Sequence, residues 1–258
     1  LAPIEEALFR AEREIELLGT QKRWAAEVYQ TLGEVQLRRS DYRAAARRME
    51  SALKYLPKDT KLLARIARTL RLGGSFDGSM KYWERILQVD PHSEVGIVGL
   101  ADVFIQTAAY ERGTVRVSEL ISGKRATPAM VFWHAELSWL MGDRARASRL
   151  YEEVLKADPE FVRAQVALAR IDVEEGRLDA ATRRLKSARS IEPHNPWIYI
   201  GFGDYFKTQK NYEMAEAEYR SAIRNAPREA RAHYLLAKVL LLQDRQSEAL
   251  ESAQAALD

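Results

Sequence analysis

Four histidines, His92, His134, His194 and His233, are the only imidazoles in this chain, and it has no cysteine. Acid–base catalysis needs an imidazole or carboxylate held against a partner that tunes it, and a metal site needs several such ligands converging. These histidines share no motif and no metal-ligand spacing. No G-x-S-x-G, Walker or G-x-G-x-x-G pattern occurs, and Gly201-Phe202-Gly203 lies inside an apolar helical stretch. The carboxylates fall into ordinary i,i+4 pairs such as Glu152–Lys156 and Glu216–Arg220, which steady exposed helix faces. The sequence therefore reads as no enzyme, with no catalytic residue, cofactor or metal expected. The chemistry left to it is recognition by aromatic rings and charged side chains, and which of these act together depends on the elements that carry them.

Those elements repeat. A small residue returns every 34 positions, at Gly33, Ala67, Ala101, Ala135, Ala169, Gly203 and Ala237. A second ladder keeps step with it, at Ala45, Ser79, Gly113, Ala147, Ala181, Ala215 and Ala249. Two phase-locked ladders mean one supersecondary unit stacked on copies of itself, with room at each close contact only for a small side chain.

Ala26 to Asp59 shows the unit. Tyr29, Leu32, Gly33 and Leu37 have helical spacing, a turn follows at Ser40-Asp41, and Tyr42, Ala45, Met49, Ala52 and Leu53 resume it before Pro57 ends the helix. The pattern restarts at Thr60, Glu94, Pro128, Val162, Pro196 and Ala230, and Pro57, Pro91, Pro159, Pro193 and Pro227 close five units. These residues resemble the tetratricopeptide repeat (TPR), most closely over 196–229, where Tyr199, Phe202, Gly203, Tyr212, Ala215, Tyr219, Ala222 and Pro227 are all in place. The resemblance implies an all-α, right-handed α-solenoid of antiparallel helix hairpins over 26–258, preceded by an N-terminal helix, cap or partial repeat over 1–25. It also implies that large residues at the twenty-fourth position, here Met49, Trp83, Val117, Tyr151, Leu185 and Tyr219, fill the space between helices.

In proteins similar to this one, positions 2, 5, 9, 12 and 13 of each first helix line a concave groove. Carried onto this chain, they give a partner-binding set of Arg68, Arg71, Val98, Asp102, Phe132, Glu136, Trp139, Arg170, Trp197, Asp204, Tyr234 and Lys238. Lys61, Arg65, Arg68 and Arg71 would make a basic patch, and Phe132 and Trp139 an aromatic floor. Such a groove suits a peptide or protein partner, because aromatics give contact area at low entropy cost and charges fix register. The other reading of these aromatics is that they fill a narrow interior. Position 9 reads Glu34, Arg68, Asp102, Glu136, Arg170, Asp204 and Lys238. It carries no Asn, so the chaperone-tail binding of one TPR subfamily does not transfer.

Position 22, on the outer face, is basic at Arg47, Lys81, Arg149 and Arg183, extended by Arg48 and Arg184. A solvated face and a docking strip for an acidic surface are the two readings. Nucleic acid is argued against because this stripe lacks interleaved aromatics and because 40 basic residues against 37 acidic leave a net charge of only +3. Two stretches depart from the pattern: the glycine-rich turn Gly73 to Gly78, and the unit from Glu94 with its loose end at Ile121 to Pro128. They read as drift or as a flexible joint.

No apolar run approaches the ~20 residues that span a bilayer. The absence of cysteine fits a bacterial cytoplasm or periplasm equally. The start at Leu1 and the stop after Ala255-Ala256-Leu257 read as a fragment of a longer protein, with self-association through the last helix a further expectation. The sequence thus points to a non-catalytic interaction scaffold. The alternative is a structural arm of a larger bacterial assembly, such as the periplasmic TPR region of an exopolysaccharide export protein, which this Ala/Arg-rich stretch resembles.

Overall fold

The computed structural model describes residues 10, 13, 22–122 and 126–257. Among them the chain forms α1 (Lys22–Arg38), α2 (Tyr42–Ala52), α3 (Thr60–Leu72), α4 (Phe76–Val89), α5 (Glu94–Gln106), α6 (Tyr110–Ile121) and α7 (Pro128–Leu140). These are followed by α8 (Arg144–Ala157), α9 (Val162–Glu174), α10 (Leu178–Ile191), α11 (Pro196–Thr208), α12 (Tyr212–Asn225), α13 (Ala230–Leu242) and α14 (Gln246–Ala255). No strand occurs among the described residues. The expected N-terminal helix before residue 22 and part of the loose connection, 123–125, lie outside them.

The chain divides into two compact units, Leu1–Gly142 and Asp143–Asp258. The first holds the hairpins α1/α2, α3/α4 and α5/α6, followed by α7, and the second holds α8 and then α9/α10, α11/α12 and α13/α14. Four first helices begin under an Asx or Ser/Thr cap: Asp59, Ser93, Thr127 and Asn195 each accept from a backbone N–H two or three residues on. Asp41, Asp143 and Asn211 do the same service for second helices, so one chemical device starts both halves of the unit. Each such cap is worth about 1 kcal/mol.

The hairpin turns carry a regularity of their own. Ser40, Gly74, Ala108, Gly142, Gly176, Lys210 and Asp244 all have positive φ, between 53° and 91°, and they too recur every 34 residues. The residue after this position donates its N–H back across the turn, as in Asp41 to Gln36 O, Ser75 to Leu70 O and Asn211 to Phe206 O, at 3.0, 2.8 and 3.0 Å. Gly74 therefore occupies the same left-handed position as its siblings, and glycine there answers a need of the turn.

The small-residue ladders mark where helices touch. A Cβ on Gly33 would meet Met49 Cγ at 2.8 Å, and one on Gly203 would meet Tyr219 Cε1 at 2.3 Å. Each pairs the eighth position with the twenty-fourth of its own hairpin. Gly113, on the second ladder, is closed in by Phe104 of its own hairpin and Leu137 of the next, at 2.7 and 2.9 Å. The fillers Met49, Trp83, Val117, Tyr151, Leu185 and Tyr219 are all 3% exposed or less. Burying side chains of this size contributes about 2 kcal/mol each; Trp83 and Leu185 also close against Gly99 and Gly201 of the following hairpin, where a Cβ would meet them at 2.4 and 2.6 Å.

Candidate interaction site

The predicted groove residues lie on first helices, but the structure treats them differently in the two units. In the first unit two cations of the basic patch, Arg65 and Arg71, are taken up by carboxylates. Arg65 reaches back one repeat to Glu34 at 2.7 Å and to Gln30 at 3.2 Å, and Arg71 reaches forward to Asp102 at 3.2 Å. Arg68 is exposed and lies over the ring of Trp83, its guanidinium carbon 5.7 Å from the centroid. Long cations one helix apart find the acids of the neighbouring repeat, so Arg71 and Asp102 act first as a rung between repeats. Val98 is half-buried, as are Glu136 and Trp139.

Phe132 corrects the sequence reading. It is only 2% exposed, its ring set edge-on to Trp133 with centroids 6.1 Å apart. A fully buried ring cannot meet a partner, so of the two readings for this aromatic the structure takes interior filling. The floor expected from Phe132 and Trp139 shrinks to the half-buried Trp139.

In the second unit the expected side chains gather. Trp197 stands in the first turn of α11, positioned by the Asn195 cap and by Pro196, whose fixed φ suits a helix start. It keeps 37% of its surface exposed. Arg231 comes across from α13 to lie over its ring at 5.7 Å. One turn along α13, Tyr234 is 53% exposed, and Lys238, a further turn on, lies over its ring at 5.4 Å. Arg231, Tyr234 and Lys238 are spaced i, i+3, i+7 and so form one stripe. Each cation–π contact stabilises by about 0.5–1 kcal/mol at such exposed sites and holds ring and charge side by side.

Asp204, predicted in the same set, is already committed. Its Oδ1 accepts from Lys207 Nζ and from the Tyr219 hydroxyl, both at 2.7 Å. Burial, and then the Asp204 charge, push the Tyr219 hydroxyl well above the ordinary tyrosine value, so it stays a donor. Asp204 is thus an internal post tying α11 to α12. Arg170 is half-buried on α9. Beside the stripe, Arg163, Glu192, Pro193, His194 and Trp197 border an open cleft of about 670 Å³.

Sequence reasoning missed one charged centre. Asp172 is 4% exposed at the side chain and is held by Arg177 at 2.8 Å and by Arg184 Nε at 2.9 Å. The signal was available: Asp172 occupies the eleventh position, where its siblings are Gln36, Leu70, Phe104, Ser138, Phe206 and Leu240. On the outer face, Arg47, Lys81, Arg149 and Arg183 are all exposed. Among the described residues, no three His, Asp or Glu side chains are grouped to hold a metal ion, and no helix is long and apolar enough to cross a membrane.

Comparison with known proteins agrees with this fold. Family models described as tetratricopeptide repeat match residues 31–94, 139–196 and 172–239. The chain belongs to the tetratricopeptide repeat superfamily. Its fold is the all-α solenoid of that family, and its function class is the protein-interaction scaffold. A TPR protein from Parabacteroides merdae shares the fold at a TM-score of 0.68 and 15% identity, over 90% of this chain and 99% of that one. Yeast Tom70 aligns at a TM-score of 0.65 and 15% identity, over 98% of this chain and 54% of its own. A chain of the APC/C hetero-tetramer Cut9-Hcn1 aligns at 0.64 and 13%, over 98% and 56%, so the chain spans about half the length of each of these two. At such identities the likeness is one of fold. No curated protein matches the chain.

Proposed function

We propose that the chain is a non-catalytic TPR scaffold that holds an acidic, extended segment of a partner protein on the first-helix face of its second unit. The observation that carries this reading is the stripe Trp197–Arg231–Tyr234–Lys238, in which two exposed rings each carry a cation. Rings at this exposure supply contact area with few torsions to freeze, and the cations give the stripe one sign of charge. The one carboxylate in the predicted set nearby, Asp204, is neutralised by Lys207 and adds no competing charge. In the first unit the equivalent cations Arg65 and Arg71 face carboxylates of their own chain, which leaves that face less suited to an acidic segment.

Selection from a random peptide library on the intact protein tests this. The reading expects enrichment of Asp and Glu around an aromatic or proline anchor, with binding that weakens as salt rises. Enrichment of basic or uniformly apolar peptides contradicts it.

A further inference from the structure

Each repeat turns one face toward the hairpin that follows, and a few positions on it reach across. At the twelfth, Arg71 meets Asp102 at 3.2 Å. At the seventeenth, Arg144 meets Glu174 at 3.1 Å, and at the twenty-first, Glu216 takes Arg245 at 2.6 Å. At the twenty-fifth, Glu50 accepts from the Tyr82 hydroxyl and Glu84 from Arg116, both at 2.9 Å. The twenty-fourth carries the large filler, which Trp83 and Leu185 press against Gly99 and Gly201 of the next hairpin.

On α13/α14 the same five positions hold Leu241, Gln246, Leu250, Ala253 and Gln254. All five are exposed, Leu241 at 56% and Leu250 at 68%. Gln246, Leu250, Ala253 and Gln254 are spaced i, i+4, i+7, i+8 and so form one face of α14. A repeat that ends against water needs a polar outer face. This one does the opposite, because the preceding repeat has Lys207 and Glu216 where it has Leu241 and Leu250, and both of those charges are paired. One bare leucine is ordinary on a protein surface; two at reaching positions of one uncharged face are a contact surface.

Two features say what kind of surface covers it. Junctions between repeats set unlike charges against each other, as in Arg71 with Asp102, Glu84 with Arg116 and Glu216 with Arg245. The α13/α14 face offers no charge for such a rung. It also lacks the large filler, with Ala253 where six repeats have Met49, Trp83, Val117, Tyr151, Leu185 or Tyr219. A surface that pairs with itself across a two-fold axis has the opposite need: any charge near the axis meets its own sign, and a small central residue lets the two helices close. We infer that this face binds the same face of a second copy of the chain, with α14 antiparallel to α14. Leu250 of each copy packs over Ala253 of the other, and Leu241 flanks them. The self-association expected of the last helix thereby gains a surface and a symmetry.

Sedimentation equilibrium of the intact chain from about 5 to 500 µM tests this, a range suited to a small apolar interface. A single monomer–dimer equilibrium is expected. Leu250→Glu should weaken it at least about thirtyfold, since a two-fold interface loses each side chain twice. Leu241→Glu should weaken it in the same direction, whereas Met214→Glu, at a side chain 43% exposed on α12, should leave it unchanged. Circular dichroism confirms that each variant keeps its helices. Leu250→Lys mixed with Leu250→Glu should recover a dimer that neither forms alone, because only a self-facing surface sets the two against each other. The inference is overturned if the wild type stays monomeric throughout, if association runs on past the dimer as head-to-tail stacking would, if Leu250→Glu associates as wild type, or if the mixture stays monomeric.

Discussion

The left-handed residue in every hairpin turn allows a backbone effect to be measured with almost nothing else changed. Ala108 holds φ 53° on an exposed turn, and Gly176 holds φ 76° at an equivalent one. An L-residue in the left-handed region costs about 1–2 kcal/mol relative to glycine. Glycine in turn has more freedom to lose on folding, which returns about 0.4–1 kcal/mol of that difference. The net expectation is that Ala108→Gly stabilises the protein by ~0.5–1 kcal/mol and that Gly176→Ala destabilises it by a similar amount. Sterics do not confuse the second change, since a Cβ on Gly176 meets no atom within 4 Å. Urea unfolding followed by far-UV circular dichroism reads both variants as midpoint shifts of opposite sign at unchanged slope. If Gly176→Ala is neutral or stabilising, or if Ala108→Gly lowers the midpoint, the claim that these turns are held in the left-handed region by the fold is wrong.

Three further outcomes follow from the packing. Gly203→Ala places a Cβ 2.3 Å from the ring of Tyr219, which is fully buried and bonded to Asp204, so a loss of about 1–3 kcal/mol is expected by thermal or urea unfolding. Asp172→Asn removes the charge between Arg177 and Arg184; these side chains are 52% and 33% exposed and turn to water, which limits the loss to about 1–2 kcal/mol in the same assay. Acid stability is expected to depend on Glu216. Burial works to raise its pKa, but hydrogen bonds from Arg220 and Arg245 outweigh it and hold the carboxyl below the ordinary value of 4.5. A depressed carboxylate stabilises fully above its unfolded value and loses that contribution as pH falls through the folded one. Glu216→Gln should therefore lower the Tm at pH 7 and leave a smaller gap from wild type below pH 4.5, as scanning calorimetry at several pH values would show.

Much of the fold was legible because it rests on side-chain size at fixed spacing. Gly33 against Met49 and Gly203 against Tyr219 pair the small eighth position with the large twenty-fourth, the roles that the resemblance to the tetratricopeptide repeat implies once the period of 34 residues sets the register. The left-handed turn position was not legible, since Ser40, Ala108, Lys210 and Asp244 carry no shared chemical signature and only three of the seven residues are glycine. The groove was legible in position and poorly legible in availability. Arg65 and Arg71 look like free cations in sequence, yet the repeat spacing brings Glu34 and Asp102 within their reach, and side-chain length decides that pairing. Phe132 shows the same limit for aromatics: register places it on the inner side, but only its neighbours determine that it is buried. Trp197 and Tyr234, given by the same register, stay exposed. Asp172 needed the comparison of siblings at the eleventh position.

In the proposed scaffold the Trp197–Lys238 stripe of the second unit holds the partner segment. The most direct test is the affinity of one acidic peptide, chosen by selection on the intact chain, for three proteins: wild type, Arg231→Ala/Lys238→Ala, and the outer-face control Arg149→Ala/Lys81→Ala. The inner-face pair should lose at least about thirtyfold, two desolvated charge contacts of ~1 kcal/mol or more each, while the outer-face control binds as wild type. Retained affinity in the inner-face variant, or loss only in the outer-face control, would contradict it.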